Sequence, residues 1–184
     1  STVEMKIDGM PIDLATAREE TYPAPGENPN VQKIELEKDL RRRDFKINAI
    51  ALELNSWEIL DPHQGLKDLS LRQLNFLHSK SVADDPTRVI RGARYAAQLH
   101  LELGEAALLQ IQSTIENWPW AWDKEQAPEN SPPALATRLR MEIELLLDSE
   151  TWIEGLTKLK AWGGLILLDK SLQTDDRLHR RIIW

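Results

Sequence analysis

Polar and apolar residues alternate from Thr2 to Ile7, the period of a half-buried strand. Asp8-Gly9 is a hairpin turn signal, with Met10-Pro11 lengthening the connection. The alternation resumes over Ile12 to Thr16, placing Ile12 and Leu14 on one face and Asp13 on the other. A lone hairpin is not stable in water, so this one needs partner strands. Thr21 to Asn30 holds Pro23, Pro25, Gly26 and Pro29 and predicts a loop. Glu35 to Arg42 predicts a short helix with cations in its last turn, where the macrodipole favours them. Asp44 then reads as the N-cap of a second helix, Phe45 to Leu54. Trp57 to Leu60 predicts a strand, Asp61-Pro62 with Gly65 a turn, Leu66 to Gln73 a short helix, and Leu74 to Leu77 another strand.

Beyond Asp84 the pattern is helical. Asp84 or Asp85 offers a cap and Pro86 occupies the first helical position. Arg88, Arg91 and Tyr95 recur at three- and four-residue spacing and share a face, while Val89, Ala93, Ala96 and Ala97 offer the packing side. Gly104 to Asn117 is amphipathic, with Leu108, Leu109, Ile111 and Ile115 inward. Ala127 to Pro133 is a loop and Leu135 to Leu147 a clear helix. Another helix, Trp152 to Trp162, is stopped by Gly163-Gly164, and Leu165 to Leu168 begins the next. The fold class is α+β, predominantly α.

The chain has 184 residues, 41% of them hydrophobic, enough to bury a sizeable core. It contains no cysteine, so a disulfide framework and a thiolate metal site are excluded. The four histidines lack ligand spacing, and no zinc site is expected. No apolar run reaches the length of a membrane span and no signal peptide opens the chain; a soluble, cytoplasmic protein is the expectation. A formal charge of −7 argues against a surface that binds nucleic acid everywhere. Cations cluster at Lys38 to Lys46 and at Arg88 to Arg94, which leaves room for a local basic groove.

Candidate chemistry concentrates in those clusters. Arg41, Arg42 and Arg43 suit phosphates and carboxylates, Asp44 accepts from hydroxyls, and Asn48 both donates and accepts. Together they can hold a nucleotide by its phosphates and sugar; they equally suit an ordinary helix end. Trp118, Trp120 and Trp122 offer stacking platforms for bases or pack helix ends together.

Three ordered segments carry a resemblance. Arg42-Arg43-Asp44-Phe45-Lys46-Ile47-Asn48-Ala49 resembles the RRDFTINA motif of class II nucleotidyltransferases, the tRNA CCA-, CC- and A-adding enzymes and bacterial poly(A) polymerases. Asp84-Asp85-Pro86-Thr87-Arg88-Val89-Ile90-Arg91 resembles their EDxxRxxR motif, and Asp61 to Leu69 their DPxxGxxDL segment. Lys46 stands where the family has threonine, and Asp84 where it has glutamate. The resemblance implies the end of a head domain over residues 1–80, a helical neck over 81–148 and the start of a body over 149–184. The family's glycine-rich strand, DxD metal pair and RNA-gripping tail have no counterpart in this sequence, which predicts a piece of a longer enzyme.

The same resemblance implies roles. Asp85 and Arg88 pair with the incoming base, and Arg91 orients the sugar and the aspartate. Asp44 reads the ribose with Asn48 in support, Arg18 contacts the triphosphate, and Arg43 belongs to the nucleotide-binding set. Asp13 matches a third carboxylate beside the metal pair, with Mg²⁺ as the implied cofactor. Asp13 and Arg18 also read as ordinary strand-end charges. The expected function is template-independent addition of C and/or A to the 3′ end of tRNA from CTP or ATP, releasing pyrophosphate. The alternatives are poly(A) addition to general RNA and a non-catalytic nucleotide- or RNA-binding piece. No DNA or membrane partner is expected.

Overall fold

A computed structural model describes residues 2–21, 23, 30–118 and 131–182. The Thr21–Asn30 loop in its larger part, the Ala127–Pro133 loop up to residue 130, Trp120 and Trp122 lie outside the described residues.

Asp8 and Gly9 both adopt positive φ, 51° and 84°, the geometry of a two-residue hairpin turn whose twist matches its strands. Strands β1 (Thr2–Ile7) and β2 (Met10–Ala15) therefore pair directly, Ile7 with Met10 and Lys6 with Pro11. Met10-Pro11 does not lengthen the connection, because Asp-Gly alone satisfies the turn. One face of this hairpin carries Val3, Met5, Ile7, Met10, Ile12 and Leu14, and most of it is exposed. Among the described residues no third strand joins it. Antiparallel strands β3 (Arg18–Thr21) and β4 (Asn30–Lys33) follow, then helix α1 (Leu36–Arg41).

After α1 the sequence expectation fails. The predicted helix Phe45–Leu54 is a single 3-10 turn, Lys46–Ala49, after which Ile50 is extended and Ala51–Leu52 forms strand β5 against β6 (Ile59–Leu60). The apolar run Ile47 to Leu52 has helical composition, but Phe45 and Phe76 form a bridge flanked by Lys46 N–H to Asn75 O and Leu77 N–H to Asp44 O. The Asp44 carbonyl, which would accept the first bond of the predicted helix, is taken by Leu77 N–H instead. The predicted helix Leu66–Gln73 is α2 (Gly65–Ser70), and only Gln73–Leu74 (β7) pairs as a strand, parallel to β8 (Glu102–Leu103).

Three residues of the DPxxGxxDL segment, Asp61, Gly65 and Asp68, hold the local fold. Asp61 accepts from Gly65 N–H at 2.7 Å and Leu66 N–H at 3.0 Å, capping α2. Gly65 lies against the Lys46 carbonyl where a Cβ would collide with backbone. Asp68 is buried and accepts from Asn75 Nδ2 at 3.0 Å.

A short helix, α3 (Ser81–Asp84), precedes α4 (Arg88–Gln98), which runs through the middle of the core. Asp84 ends α3, and α4 begins only at Arg88 with Thr87 at its N-cap, so Pro86 lies before the helix and not at its first position; Asp85 Oδ1 accepts from Thr87 N–H in the turn between them. Val89, Ala93, Ala96 and Ala97 are fully buried as their spacing predicts. Around α4 lie α5 (Glu105–Glu116), α6 (Pro133–Leu147) and α7 (Trp152–Ala161). Ala107 and Ile111 face inward from α5, whereas Leu109 is exposed, against expectation. Trp118 packs against the core. Gly92 gives the Phe45 ring room to lie across α4, where it stacks on Phe76 at 5.0 Å and meets Tyr95 edge-on at 5.9 Å. Gly163, at φ 79°, ends the α7 turn as predicted. Two further short helices, α8 (Lys170–Thr174) and α9 (Leu178–Ile182), close the described chain. One continuous core runs from Phe45 to Leu167. No described helix is long and apolar enough to cross a membrane.

Candidate nucleotide-binding cleft

The arginines at the end of α1 do different work. Arg42 donates to the Arg18 carbonyl at 2.7 Å, to Asp39 Oδ1 and to Glu20 Oε1 at 3.0 Å, tying β3 to α1. Arg43 reaches Asp39 Oδ2 at 3.0 Å and stays 43% exposed. Arg18 donates its N–H to Asp39 at 2.9 Å while its guanidinium pairs with Glu20. Asp39 is thus a hub. Burial pushes its carboxyl up, but the Arg18 N–H and the Arg42 and Arg43 guanidiniums hold it below the ordinary value.

Asp44, buried at the next turn, has both oxygens engaged. Oδ1 accepts from Phe45 N–H and Asn48 Nδ2, each at 2.9 Å, and Oδ2 from Arg91 at 2.9 Å. Burial raises its pKa, and the donors from Asn48, Arg91 and Phe45 overcome this, so the group lies below the usual carboxylate range. The other side of the Arg91 guanidinium grips Glu142 on α6, with Nε at 2.8 Å. Arg94, which also lies 4.7 Å over the Tyr95 ring, approaches Glu142 at 3.7 Å.

Asp85 is buried as well. Its Oδ1 accepts from Thr87 N–H at 3.2 Å and Thr87 Oγ1 at 2.6 Å, and its Oδ2 pairs with Arg138 of α6 at 3.2 Å. Arg88 is 4% exposed. It donates to Ser81 Oγ, which in turn donates to the Asp44 carbonyl at 3.3 Å, and its Nη2 reaches the Arg42 carbonyl at 3.3 Å. Its Nε is buried with no hydrogen-bond partner. Buried donors left unpaired are costly.

All eight residues singled out in the sequence line one cleft of about 690 Å³: Asp13 and Arg18 from the strands, Arg43, Asp44 and Asn48 after α1, and Asp85, Arg88 and Arg91 from the α4 segment. Sequence reading missed four contributors to this geometry, namely Asp39, Ser81, Arg138 and Glu142. Arg138 and Glu142 had a visible signal, a charged pair at i,i+4 on the face of α6 that also carries buried Leu135, Leu139 and Leu146.

Asp13, with Glu4 directly across the hairpin, is the cleft carboxylate for which no ion pair or hydrogen bond is found among the described residues, since Glu20, Asp39, Asp44 and Asp85 are each engaged by arginine. No group of three or more Asp, Glu or His residues among the described residues is arranged to hold a metal ion. These residues alone do not fit magnesium.

Residues 1–75 match the family model described as the poly A polymerase head domain. A CC-adding tRNA nucleotidyltransferase of Deinococcus radiodurans is 37% identical over 164 residues, 88% of this chain and 40% of the relative. The chain is similar in sequence to tRNA nucleotidyltransferases. An A-adding tRNA nucleotidyltransferase of Halalkalibacterium halodurans is 38% identical over 94% of this chain and 40% of its own length. Among solved structures, an apo CCA-adding enzyme superposes with a TM-score of 0.75 at 26% identity, covering 100% of this chain and 43% of that one. A tRNA nucleotidyltransferase complexed with a primer tRNA and an incoming ATP analog gives 0.72 at 28% identity, covering 97% and 47%. The chain therefore spans less than half the length of these proteins.

Proposed function

We propose that this chain forms the nucleotide-selecting part of a template-independent RNA nucleotidyltransferase that adds C and/or A to the 3′ end of tRNA. The RNA 3′ hydroxyl attacks the α-phosphate of CTP or ATP and pyrophosphate leaves. The observation that carries this reading is the pairing at the cleft wall of a carboxylate with one acceptor position left, Asp85, and a guanidinium with an unpartnered donor, Arg88. Cytosine and adenine present an exocyclic amine beside a ring acceptor, which such a pair complements; uracil and guanine present a carbonyl where the amine should be. Asp44 with Asn48 supplies acceptors and donors for the ribose, and Arg18 and Arg43, both partly exposed, face the phosphates. The cytoplasm is the proposed compartment.

The head-domain match favours poly(A) addition as a second reading. Both are tested by incubating the complete protein with tRNA lacking its 3′ end, each NTP supplied separately. Short C and A additions confined to tRNA are expected. Long A tails on unrelated RNA establish the second reading, and incorporation of no nucleotide overturns both.

A further inference from the structure

Helix α6 lies far along the chain from the segments that carry Asp44 and Asp85, yet it reaches both acids, Asp85 directly and Asp44 through Arg91. Glu142 grips Arg91, whose other edge holds Asp44. One helical turn earlier, Arg138 holds Asp85. A carboxylate offers about four lone-pair positions. The two Thr87 donors fill those of Asp85 Oδ1, and Arg138 takes one on Oδ2. A single acceptor position is left, and its direction is set by where Thr87 and Arg138 hold the group.

We propose that Arg138 is a positioning residue for base selection, fixing Asp85 so that Oδ2 presents one acceptor to the exocyclic amine of the incoming base. The inference rests on the reading that Asp85 meets that base. It adds that selectivity is set partly from α6, by a residue outside the motif segments. Arg138 touches no nucleotide in this account; it acts through Asp85. Because the contact pairs a cation with the Asp85 carboxylate, a lysine of sufficient reach can replace it, whereas a neutral side chain cannot fix the carboxylate as firmly.

The test uses the complete protein and kcat/KM for CTP, ATP, UTP and GTP on tRNA lacking its 3′ end, with melting temperature measured on the same preparations. Arg138→Gln is expected to lower the CTP to UTP ratio about tenfold, the scale of one good base contact, and Arg138→Lys to retain most of it. Isosteric Thr87→Val loosens the opposite oxygen and should lower the same ratio, which keeps the test alive should Arg138→Gln not fold. In an Asp85→Ala background, Arg138→Gln should lower the ratio no further. A selective wild type whose ratio is unchanged in both Arg138→Gln and Thr87→Val overturns this inference alone, leaving Arg138 a structural ion pair. A further loss of selectivity in the Asp85→Ala background also overturns it, because Arg138 then acts on the base itself. A wild type that uses all four nucleotides alike overturns the functional reading and this inference with it.

Discussion

At the scale of single residues, Asp44 has an observed structural task and a proposed binding one. Its three protein donors fix the turn after α1, and in the proposed function the same carboxylate, which lines the cleft, accepts from a ribose hydroxyl. Asp44→Ala is therefore expected to reduce the preference for CTP over dCTP; sites that hydrogen-bond a substrate hydroxyl discriminate by on the order of 10⁴ in favourable cases. The ratio of kcat/KM for the two nucleotides checks this, and an unchanged ratio returns Asp44 to a purely structural role. A second expectation follows from its lowered pKa. The unfolded carboxyl titrates near about 3.9. A folded value below that means the stabilisation is complete above pH ~4 and is lost as pH falls through the folded pKa. The melting-temperature gap between wild type and Asp44→Asn should thus be widest near neutrality and shrink below pH ~4. A constant gap from pH 6 to pH 3 contradicts it. Asp44, Asp85 and the α4 arginines were legible because they sit in short, ordered segments. Arg138 and Glu142 carried only their i,i+4 spacing on the buried face of α6; which residues they hold was not legible, because the packing of α6 on α4 brings those partners to them.

At the scale of elements, local pattern succeeded where the chain stays local. The β1–β2 hairpin, α1, α4 and α7 follow their periodicity and punctuation. The stretch after Asp44 did not, since the bridge between Phe45 and Phe76 is a contact over thirty residues that no window of sequence contains. The DPxxGxxDL segment was legible as a turn and opaque as to purpose. Its glycine is required because the Lys46 carbonyl occupies the space of a Cβ. Gly65→Ala is expected to destabilise the protein by about 1–3 kcal/mol, the usual penalty of overpacking, with nucleotide selectivity intact in the folded fraction. Denaturant unfolding measures this; a cost near zero would show that α2 can move away from the Lys46 carbonyl freely.

At the scale of the whole molecule, the α+β class and its helical majority were legible from the sequence, because hydrophobic periodicity reports which face of each element is buried. How the elements share one core from Phe45 to Leu167 was not, because the alanine and glycine positions that let α4 lie against Phe45 and α7 carry little hydrophobic signal of their own. That packing brings residues from β2, the turn after α1, α4 and α6 to a single cleft, and the central claim is that the Asp85–Arg88 wall of this cleft selects the base. The most direct measurement is the crystal structure of the complete protein with CTP and tRNA lacking its 3′ end, read for the distance from Asp85 Oδ2 to the exocyclic amine of cytosine. The account predicts a hydrogen bond of about 2.7–3.2 Å, with Arg88 donating to the ring acceptor beside it. A cytosine seated elsewhere, with Asp85 still held only by Thr87 and Arg138, would contradict it.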